Sequence, residues 1–160
     1  MTFLGGRMTW LELKIPPPIV ALLCAIGMVY LPDLFGLEAF EVPFQGWAAG
    51  LVIVFGLSFD LLGLIEFRRH ATTINPLSPN KSSQIVSSGI YRLTRNPMYL
   101  GMAIVLVGVT IWSGSPLGLL MVLTFALYIT RFQIEPEERI LEAKFGEAFL
   151  EYKSRVKRWI

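Results

Sequence analysis

Two short polar stretches of this sequence combine aromatic rings, basic side chains and carboxyl groups within a chain that is otherwise mostly apolar. The first stretch, residues 87–101, reads SSGIYRLTRNPMYLG. The second is the acidic run at residues 135–138, EPEE, which follows an apolar segment and Arg131. The donors and rings of the first stretch suit an anionic or planar ligand group, whereas a carboxylate of the second can hold a cation.

Pro97 sets the local geometry of the first stretch. Because proline fits the first turn of a helix, the sequence predicts a helix that begins at about Asn96 or Pro97. The free N–H groups of a first turn attract anions. Around them lie Tyr91, Arg92, Arg95, Asn96 and Tyr99. The alternative is an interfacial belt of tyrosines and arginines at the level of the lipid headgroups, which composition alone favours.

The acidic run has two interpretations as well. Glu137 and Glu138 can occupy the first turn of a helix that begins at Pro136, where the helix dipole favours carboxylates. Alternatively, one of these carboxylates holds a cation. Both polar stretches flank the same pair of apolar segments, so they can converge in space.

The rest of the chain must supply the elements that position these residues, and it is strongly apolar. Of its 160 residues 54% are hydrophobic and 16% are charged, more apolar surface than a soluble domain of this size can bury. The sequence therefore predicts an integral membrane protein. A net charge of +2 is too small to indicate a nucleic-acid partner. The single Cys24 excludes an internal disulfide and suits a small buried apolar residue.

Four apolar segments predict an all-α protein with about four transmembrane helices. They cover residues 16–31, 44–67, 98–112 and 117–132. A backbone in hydrocarbon must satisfy its own hydrogen bonds, so each segment is expected to be helical. The turn at residues 113–116, SGSP, makes the last two segments an antiparallel hairpin. The tail, residues 134–160, has the spacing of an amphipathic helix with a break at Gly146.

Two titratable residues outside these stretches remain open. Asp60 lies within the second apolar segment, where an acid is a candidate functional group, although a hydrated side chain near the membrane surface explains it equally well. His70 is the sole histidine and follows Arg68 and Arg69, so a solvated loop residue is favoured over a general base.

The order and spacing of these residues resemble the isoprenylcysteine carboxyl methyltransferase family and its bacterial and archaeal relatives, which include phospholipid methyltransferase-like proteins. The resemblance covers about residues 74–160, and the matching motifs are short but fairly specific in combination. The matching residues are Tyr91, Arg95, Asn96, Pro97, Tyr99, Gly101, Glu137, Glu138, Leu141, Phe145, Gly146, Tyr152, Val156 and Arg158.

The resemblance implies a single-domain membrane methyltransferase that uses S-adenosylmethionine and no metal. Residues 1–70 would supply two N-terminal spans, and residues 71–160 the cofactor-binding loop, the helical hairpin and the C-terminal helix. The implied cofactor-binding residues are Gln84, Ile85, Val86, Tyr91, Arg95, Asn96, Pro97, Met98, Tyr99, Glu137 and Glu138. Residues 74–88 are expected to close over the cofactor, which leaves as S-adenosylhomocysteine.

Glu137 and Arg131 are the implied catalytic residues. Two positions differ from the eukaryotic members of the family. Asn96 stands where they have a histidine, and Gln133 stands where they have an arginine, for which the nearby Arg131 can substitute.

The sequence leaves the methyl acceptor open. A lipophilic or small acceptor reached from the bilayer fits, and an isoprenylcysteine-like carboxylate, a phospholipid or other amine and a thiol are all compatible with it. A function of another class is a non-catalytic membrane assembly or transport subunit, in which the tyrosines, arginines and glutamates only anchor the helices.

The loops differ in their basic residues, which predicts the orientation of the chain. Residues 32–43 and 113–116 contain no Lys or Arg, whereas the loop after the second span and the tail are basic. By the positive-inside rule the basic loops and both termini are cytoplasmic. The absence of organellar signals favours a prokaryotic inner membrane, although the endoplasmic reticulum would obey the same rule.

We predict that a reporter fused after Ile160 reports a cytoplasmic location and that one inserted within residues 33–41 reports an external one, because every Lys and Arg between the spans lies on the same side. Fusions to alkaline phosphatase and to a fluorescent protein measure the two locations. A cytoplasmic signal from residues 33–41 would contradict this topology.

Overall fold

A computed structural model describes residues 9–70, 79, 82 and 84–160 of the chain. It contains six α-helices in the order α1 (Pro17–Leu34), α2 (Gln45–Arg69), α3 (Pro97–Ser113), α4 (Gly118–Ile129), α5 (Glu135–Phe145) and α6 (Glu147–Arg155). Short 3₁₀ turns cover Thr9–Leu11 and Gly89–Arg92, and a π turn covers Thr130–Ile134. There is no strand among the described residues, in agreement with the all-α prediction.

Prolines and glycines define most helix ends. Pro17 lies in the first turn of α1, and α3 begins at Pro97 as the sequence predicts. Gly114 follows α3 with a φ of 61°, a left-handed conformation that glycine adopts without a steric penalty. The predicted antiparallel hairpin is therefore formed by α3 and α4. The amphipathic tail forms α5 and α6, with the predicted break at Gly146.

Pro136, Glu137 and Glu138 lie in the first turn of α5, as the sequence predicts, and α5 continues directly from α4, because the chain is helical without interruption over Gly118–Phe145. Proline has no N–H to donate to the carbonyl four residues earlier, which here belongs to Phe132. That carbonyl accepts a hydrogen bond of 3.0 Å from the backbone N–H of Leu13. The π turn just before Pro136 changes the spacing of the backbone hydrogen bonds, so the helix continues past the proline.

Three helical stretches, Pro17–Leu34, Gln45–Arg69 and Gly118–Phe145, are long and apolar enough to cross a membrane. The fourth apolar helix, α3, has 17 residues and is shorter. It is also the central helix, since it packs against α1, α2 and α4. Many large apolar side chains on the outer faces of α1, α2 and α4 are exposed, as expected for helices that face lipid.

Two different kinds of packing hold α3 in place. Against α1 and α4 it forms an apolar core that includes Cys24, which is buried as the sequence predicts. Against α2 the backbones approach closely through Gly56 and Gly101. A Cβ atom on Gly56 would lie 2.8 Å from the carbonyl oxygen of Gly101. Such close approach is typical of glycine-mediated packing between membrane helices.

Polar contacts show which loops share an end of the helix bundle. At one end, the N–H of Phe40 donates to the carbonyl of Gly114 at 2.9 Å, so the two loops without basic residues are neighbours. At the other end, Glu12 pairs with Arg131 at 3.1 Å and with Arg139. The first described residues and the tail therefore lie on the same side, as an even number of spans requires.

We predict that Gly56→Ala destabilises the protein, because the added methyl would lie 2.8 Å from the carbonyl oxygen of Gly101 and 2.9 Å from the backbone nitrogen of Val105. Neither backbone atom can move without shifting α3, and overpacking of this kind costs about 1–3 kcal/mol. The control is Gly50→Ala in the same helix, where an added Cβ has no neighbour within 4 Å. Melting temperatures of the detergent-solubilised variants measure the effect, and equal values would contradict close α2–α3 packing.

Candidate functional site

A cavity lies where the end of α2 and the start of α3 meet α5 and α6. Ten of the eleven residues predicted to bind the cofactor line it, namely Gln84, Ile85, Val86, Tyr91, Arg95, Asn96, Met98, Tyr99, Glu137 and Glu138. The remaining one, Pro97, is buried at the start of α3. The fold thus brings together two polar stretches that are about 40 residues apart in the sequence. That these residues bind a cofactor stays a prediction.

Glu137 is oriented by two neutral donors. Its Oε1 accepts hydrogen bonds from the hydroxyl of Tyr99 at 2.7 Å and from Nε2 of Gln133 at 2.8 Å. Gln133, in the π turn, is only 2% exposed, so this arrangement is shielded from water. Within the described part of the chain no hydrogen bond to Oε2 is recorded. One oxygen is therefore fixed by the protein and the other is available to a ligand in the cavity.

Glu138, the next residue, has a different environment. Its Oε1 lies 2.8 Å from Nη2 of Arg95, and its Oε2 lies 2.8 Å from Nη2 of Arg158. The side chains of Arg95 and Glu138 are each 9% exposed. The hydrogen bond to Glu138 raises the pKa of the Arg158 guanidinium. Both oxygens of this carboxylate are thus paired with arginines. Of the two adjacent acids, Glu137 is therefore the better placed to hold a cationic ligand group.

Arg95 has one donor that the protein does not use. Its Nη1 donates to the carbonyl of Lys153 at 3.0 Å and its Nη2 to Glu138, while its Nε is buried and has no hydrogen-bond partner among the described residues. Since Arg95 lines the cavity, this donor can serve an anionic ligand group.

The chain end holds the start of α3 in place. The side-chain amide of Asn96 donates to the carbonyl of Arg158 at 2.9 Å, and the hydroxyl of Thr94 donates to the same carbonyl at 3.1 Å. The backbone N–H of Arg95 donates to the carbonyl of Lys157 at 3.0 Å. The side-chain NH₂ group of Asn96 therefore already has a partner within the protein. For the predicted role in cofactor binding, Asn96 can still offer its side-chain carbonyl oxygen.

Aromatic rings form much of the cavity wall. Tyr91 packs edge-to-face on Phe67, with ring centroids 5.5 Å apart, and the hydroxyl of Tyr152 donates to the carbonyl of Tyr91 at 2.8 Å. Burial raises the pKa of Tyr91 and of Tyr152 above the usual range of a phenol. Both side chains therefore stay neutral at physiological pH and offer ring faces on which a planar ligand can pack.

Several sequence candidates lie elsewhere. Arg131 is in a separate polar groove, with Nη1 at 3.1 Å from Glu12 and 3.5 Å from Glu135, so its predicted catalytic role has no support from the cavity. Asp60 packs against Gly101 in the α2–α3 seam, and its Oδ1 is buried without a hydrogen-bond partner among the described residues. His70 lies at the end of α2, where Nδ1 is 2.9 Å from the carbonyl oxygen of Glu66.

Some cavity residues were not predicted from the sequence. They are Phe67, Pro79, Ser82, Leu141, Phe149 and Tyr152. The periodicity of the tail marks Phe149 and Tyr152 as members of an apolar helix face but does not reveal what that face covers. The expectation that residues 74–88 close over a ligand falls largely on residues 74–78, 80, 81 and 83, which lie outside the described part of the chain.

The cavity thus offers one oriented carboxylate, one unused guanidinium donor and several ring faces. Among the described residues there is no cluster of His, Cys, Asp and Glu that could hold a metal ion. A ligand with an amino group, a carboxylate and a planar ring system matches these features.

Known proteins show similarity to this chain over much of its length. The family model described as phospholipid methyltransferase matches residues 44–148. An uncharacterised protein of Haemophilus influenzae is 44% identical over 63 residues, which are 39% of this chain and 100% of that protein. Protein-S-isoprenylcysteine O-methyltransferase B of Arabidopsis thaliana is 30% identical over 112 residues, which are 64% of this chain and 55% of that protein.

The protein-S-isoprenylcysteine O-methyltransferase of Homo sapiens is 29% identical over 132 residues, which are 79% of this chain and 44% of that protein. The chain spans about half the length of these two isoprenylcysteine O-methyltransferases. No solved structure matches it. These relatives confirm the resemblance that the sequence indicated. Since the family model covers more than half of its length, the chain belongs to the phospholipid methyltransferase family.

Proposed function

We propose that this membrane protein transfers a methyl group from S-adenosylmethionine to a lipophilic or small acceptor. The arrangement of Glu137 carries the proposal, because two neutral donors fix one of its carboxylate oxygens and leave the other for a cationic ligand group. Family membership supports methyl transfer, and relatives named as isoprenylcysteine O-methyltransferases support a membrane-embedded acceptor.

The residues of the cavity fit the proposed donor. S-adenosylmethionine supplies a methyl group activated on a sulfonium sulfur, and it also carries an amino group, a carboxylate and an adenine ring. Glu137 would hold the amino group and the Nε of Arg95 the carboxylate, and the rings of Tyr91 and Phe67 would pack on the adenine. These roles use the groups that internal contacts leave available.

Methyl transfer places modest chemical demands on the protein. The reaction is an in-line displacement, so the protein contributes by holding the reacting groups in position and by excluding water. The contacts of residues 157 and 158 hold the backbone of Arg95 and the side chain of Asn96, two residues of the cavity wall. Tyr99 and Gln133 hold Glu137 in a fixed orientation and so reduce the reorganisation needed on binding.

The acceptor is proposed from family membership and from the location of the cavity. An isoprenylcysteine-like carboxylate is supported by the names of the relatives, and a phospholipid amine is supported by the family description. A thiol on the same scaffold is a further candidate. In each case an acceptor that partitions into the bilayer would approach along the exposed apolar faces of the helices.

We infer that the cavity faces the cytoplasm of a prokaryotic cell, with both termini on that side of the inner membrane. The distribution of Lys and Arg supports this orientation, and the pairing of Glu12 with Arg131 and Arg139 supports the shared side of the two chain ends. A soluble donor would then enter from the cytoplasm and a lipophilic acceptor from the bilayer.

We predict that S-adenosylhomocysteine, the product of the donor, raises the melting temperature of the detergent-purified protein. A ligand at 100 times its Kd stabilises a folded protein by about 2.7 kcal/mol. Adenosine, which lacks the amino acid moiety that Glu137 and Arg95 would hold, should give a smaller shift at equal concentration. The absence of any shift up to millimolar ligand would favour a non-catalytic assembly or transport subunit over a methyltransferase.

We further predict that Glu137→Gln weakens the binding of S-adenosylhomocysteine by roughly ten- to a hundredfold, since a charge-assisted hydrogen bond in a buried site contributes about 1.5–3 kcal/mol. The matched control is Glu142→Gln. Glu142 lies in the same helix, and its side chain is 43% exposed and pairs with Lys153 at 3.2 Å. Isothermal titration of both variants measures the difference, and equal affinities would refute the assignment of Glu137.

A further inference from the structure

A buried carboxylate near the end of α2 is not part of the cavity wall but contacts the turn that leads into it. Glu66 is 7% exposed, although it lies only three residues before the end of the helix. Its Oε2 accepts a hydrogen bond from the hydroxyl of Ser88, and its Oε1 lies 3.1 Å from Nη1 of Arg69. An acid that only marked the membrane surface would be exposed, so this burial needs another explanation.

The backbone of the turn rests directly on this carboxylate. Gly89 has a φ of +54°, and a Cβ atom at this position would lie 2.6 Å from Oε1 of Glu66. A side chain at this position would displace the carboxylate of Glu66, and glycine is the residue that adopts this φ most easily. Ser88 and Gly89 therefore form a close, specific contact with Glu66, which we call the Glu66 clasp.

The clasp lies immediately before the part of the turn that reaches the cavity. The N–H of Tyr91 donates to the carbonyl of Ser88 at 3.0 Å, so the 3₁₀ turn Gly89–Arg92 is built on Ser88. The ring of Tyr91 packs edge-to-face on Phe67, the residue that follows Glu66. Two successive residues of α2 thus hold the backbone and the ring of the same turn.

A second set of contacts reaches the clasp from the loop side. Nε2 of His70 lies 3.4 Å from the hydroxyl of Ser88, and its Nδ1 lies 3.9 Å from Oε2 of Glu66. The side-chain amide of Gln84, which lines the cavity, donates to the carbonyl of His70. The end of α2 is thereby connected to the loop at Gln84 as well as at Ser88.

We propose that Glu66 is a positioning residue for the candidate donor site. Its carboxylate fixes Ser88 and Gly89, which in turn hold Tyr91 against Phe67 in the cavity wall. The inference rests on the proposed function, because it assigns α2 a part in donor binding without direct contact between Glu66 and the ligand. The hydrogen bond from Ser88 is the key contact. Arg69 contributes little, because its side chain is 71% exposed and surface ion pairs are weak.

A double-mutant cycle on Glu66 and Ser88 tests the clasp. In Glu66→Leu, in Ser88→Ala and in the double variant, the affinity for S-adenosylhomocysteine should fall about tenfold, with no further loss in the double variant, because all three lack the hydrogen bond between Ser88 and Glu66. Ser88→Thr keeps the hydroxyl and should recover most of the affinity. The control variants are Arg69→Gln and Ser154→Ala, and both should bind the ligand like the unmodified protein. The hydroxyl of Ser154 donates to the exposed carbonyl of Glu151 in its own helix.

Amide hydrogen exchange of the ligand-free protein gives a second readout that does not depend on the donor. Exchange of residues 89–95 should be faster in Ser88→Ala than in Ser88→Thr or Arg69→Gln, while exchange within α4 stays unchanged. Two results would contradict the positioning role of Glu66. They are equal exchange of residues 89–95 in all variants, and losses in affinity that multiply in the double variant. If Glu66→Leu does not fold, the comparison of Ser88→Ala with Ser88→Thr still tests the hydrogen bond between Ser88 and Glu66.

The two readouts separate failure of the clasp from failure of the proposed function. An unmodified protein that binds no S-adenosylhomocysteine would contradict the donor assignment, and the exchange data would still test the clasp. Conversely, tight binding by the unmodified protein together with unchanged affinity in Ser88→Ala would leave the donor assignment intact and overturn the role of Glu66.

Discussion

The paired interaction of Glu138 with Arg95 and Arg158 is the constraint on which the site depends. It joins the residues just before α3, the first turn of α5 and residue 158 at distances of 2.8 Å. Because Arg95 and Glu138 are both nearly buried, loss of one partner would strand a charge and cost about 3–5 kcal/mol. This network connects α5 to the residues just before α3, and the adjacent Glu137 accepts a hydrogen bond from Tyr99 of α3.

The same network gives two adjacent acids different tasks. Glu138 is neutralised by arginines, whereas Glu137 accepts only from neutral donors, and both of these donors bind its Oε1. Consecutive residues of a helix point about 100° apart, so the pair can face two environments at once. Gln133 lies four residues before Glu137, so the two side chains share a face of the continuous helix and can form their hydrogen bond.

Local signals in the sequence predicted the parts of this structure that depend on neighbours along the chain. Pro97, Gly114 and Gly146 mark helix ends through their own backbone geometry, and the apolar segments mark the helices. Pairings between distant residues were not predictable in this way. Arg131 had a catalytic interpretation because the family resemblance implies an arginine near Gln133, and its pairing with the distant Glu12 could not be predicted from local sequence. Arg95 and Glu138 were both assigned to a ligand, although they largely satisfy each other.

The close packing between α2 and α3 links the membrane part of the fold to the site. Gly56, Gly63 and Gly101 let the two helices approach so closely that side chains would clash. This approach carries Phe67 to the start of α3, within reach of Tyr91. If α2 stood at the usual separation of 8–10 Å set by larger side chains, the cavity would lose one wall. Glycines deep in an apolar helix therefore act on a polar cavity at its end, because a rigid helix transmits its position along its whole length.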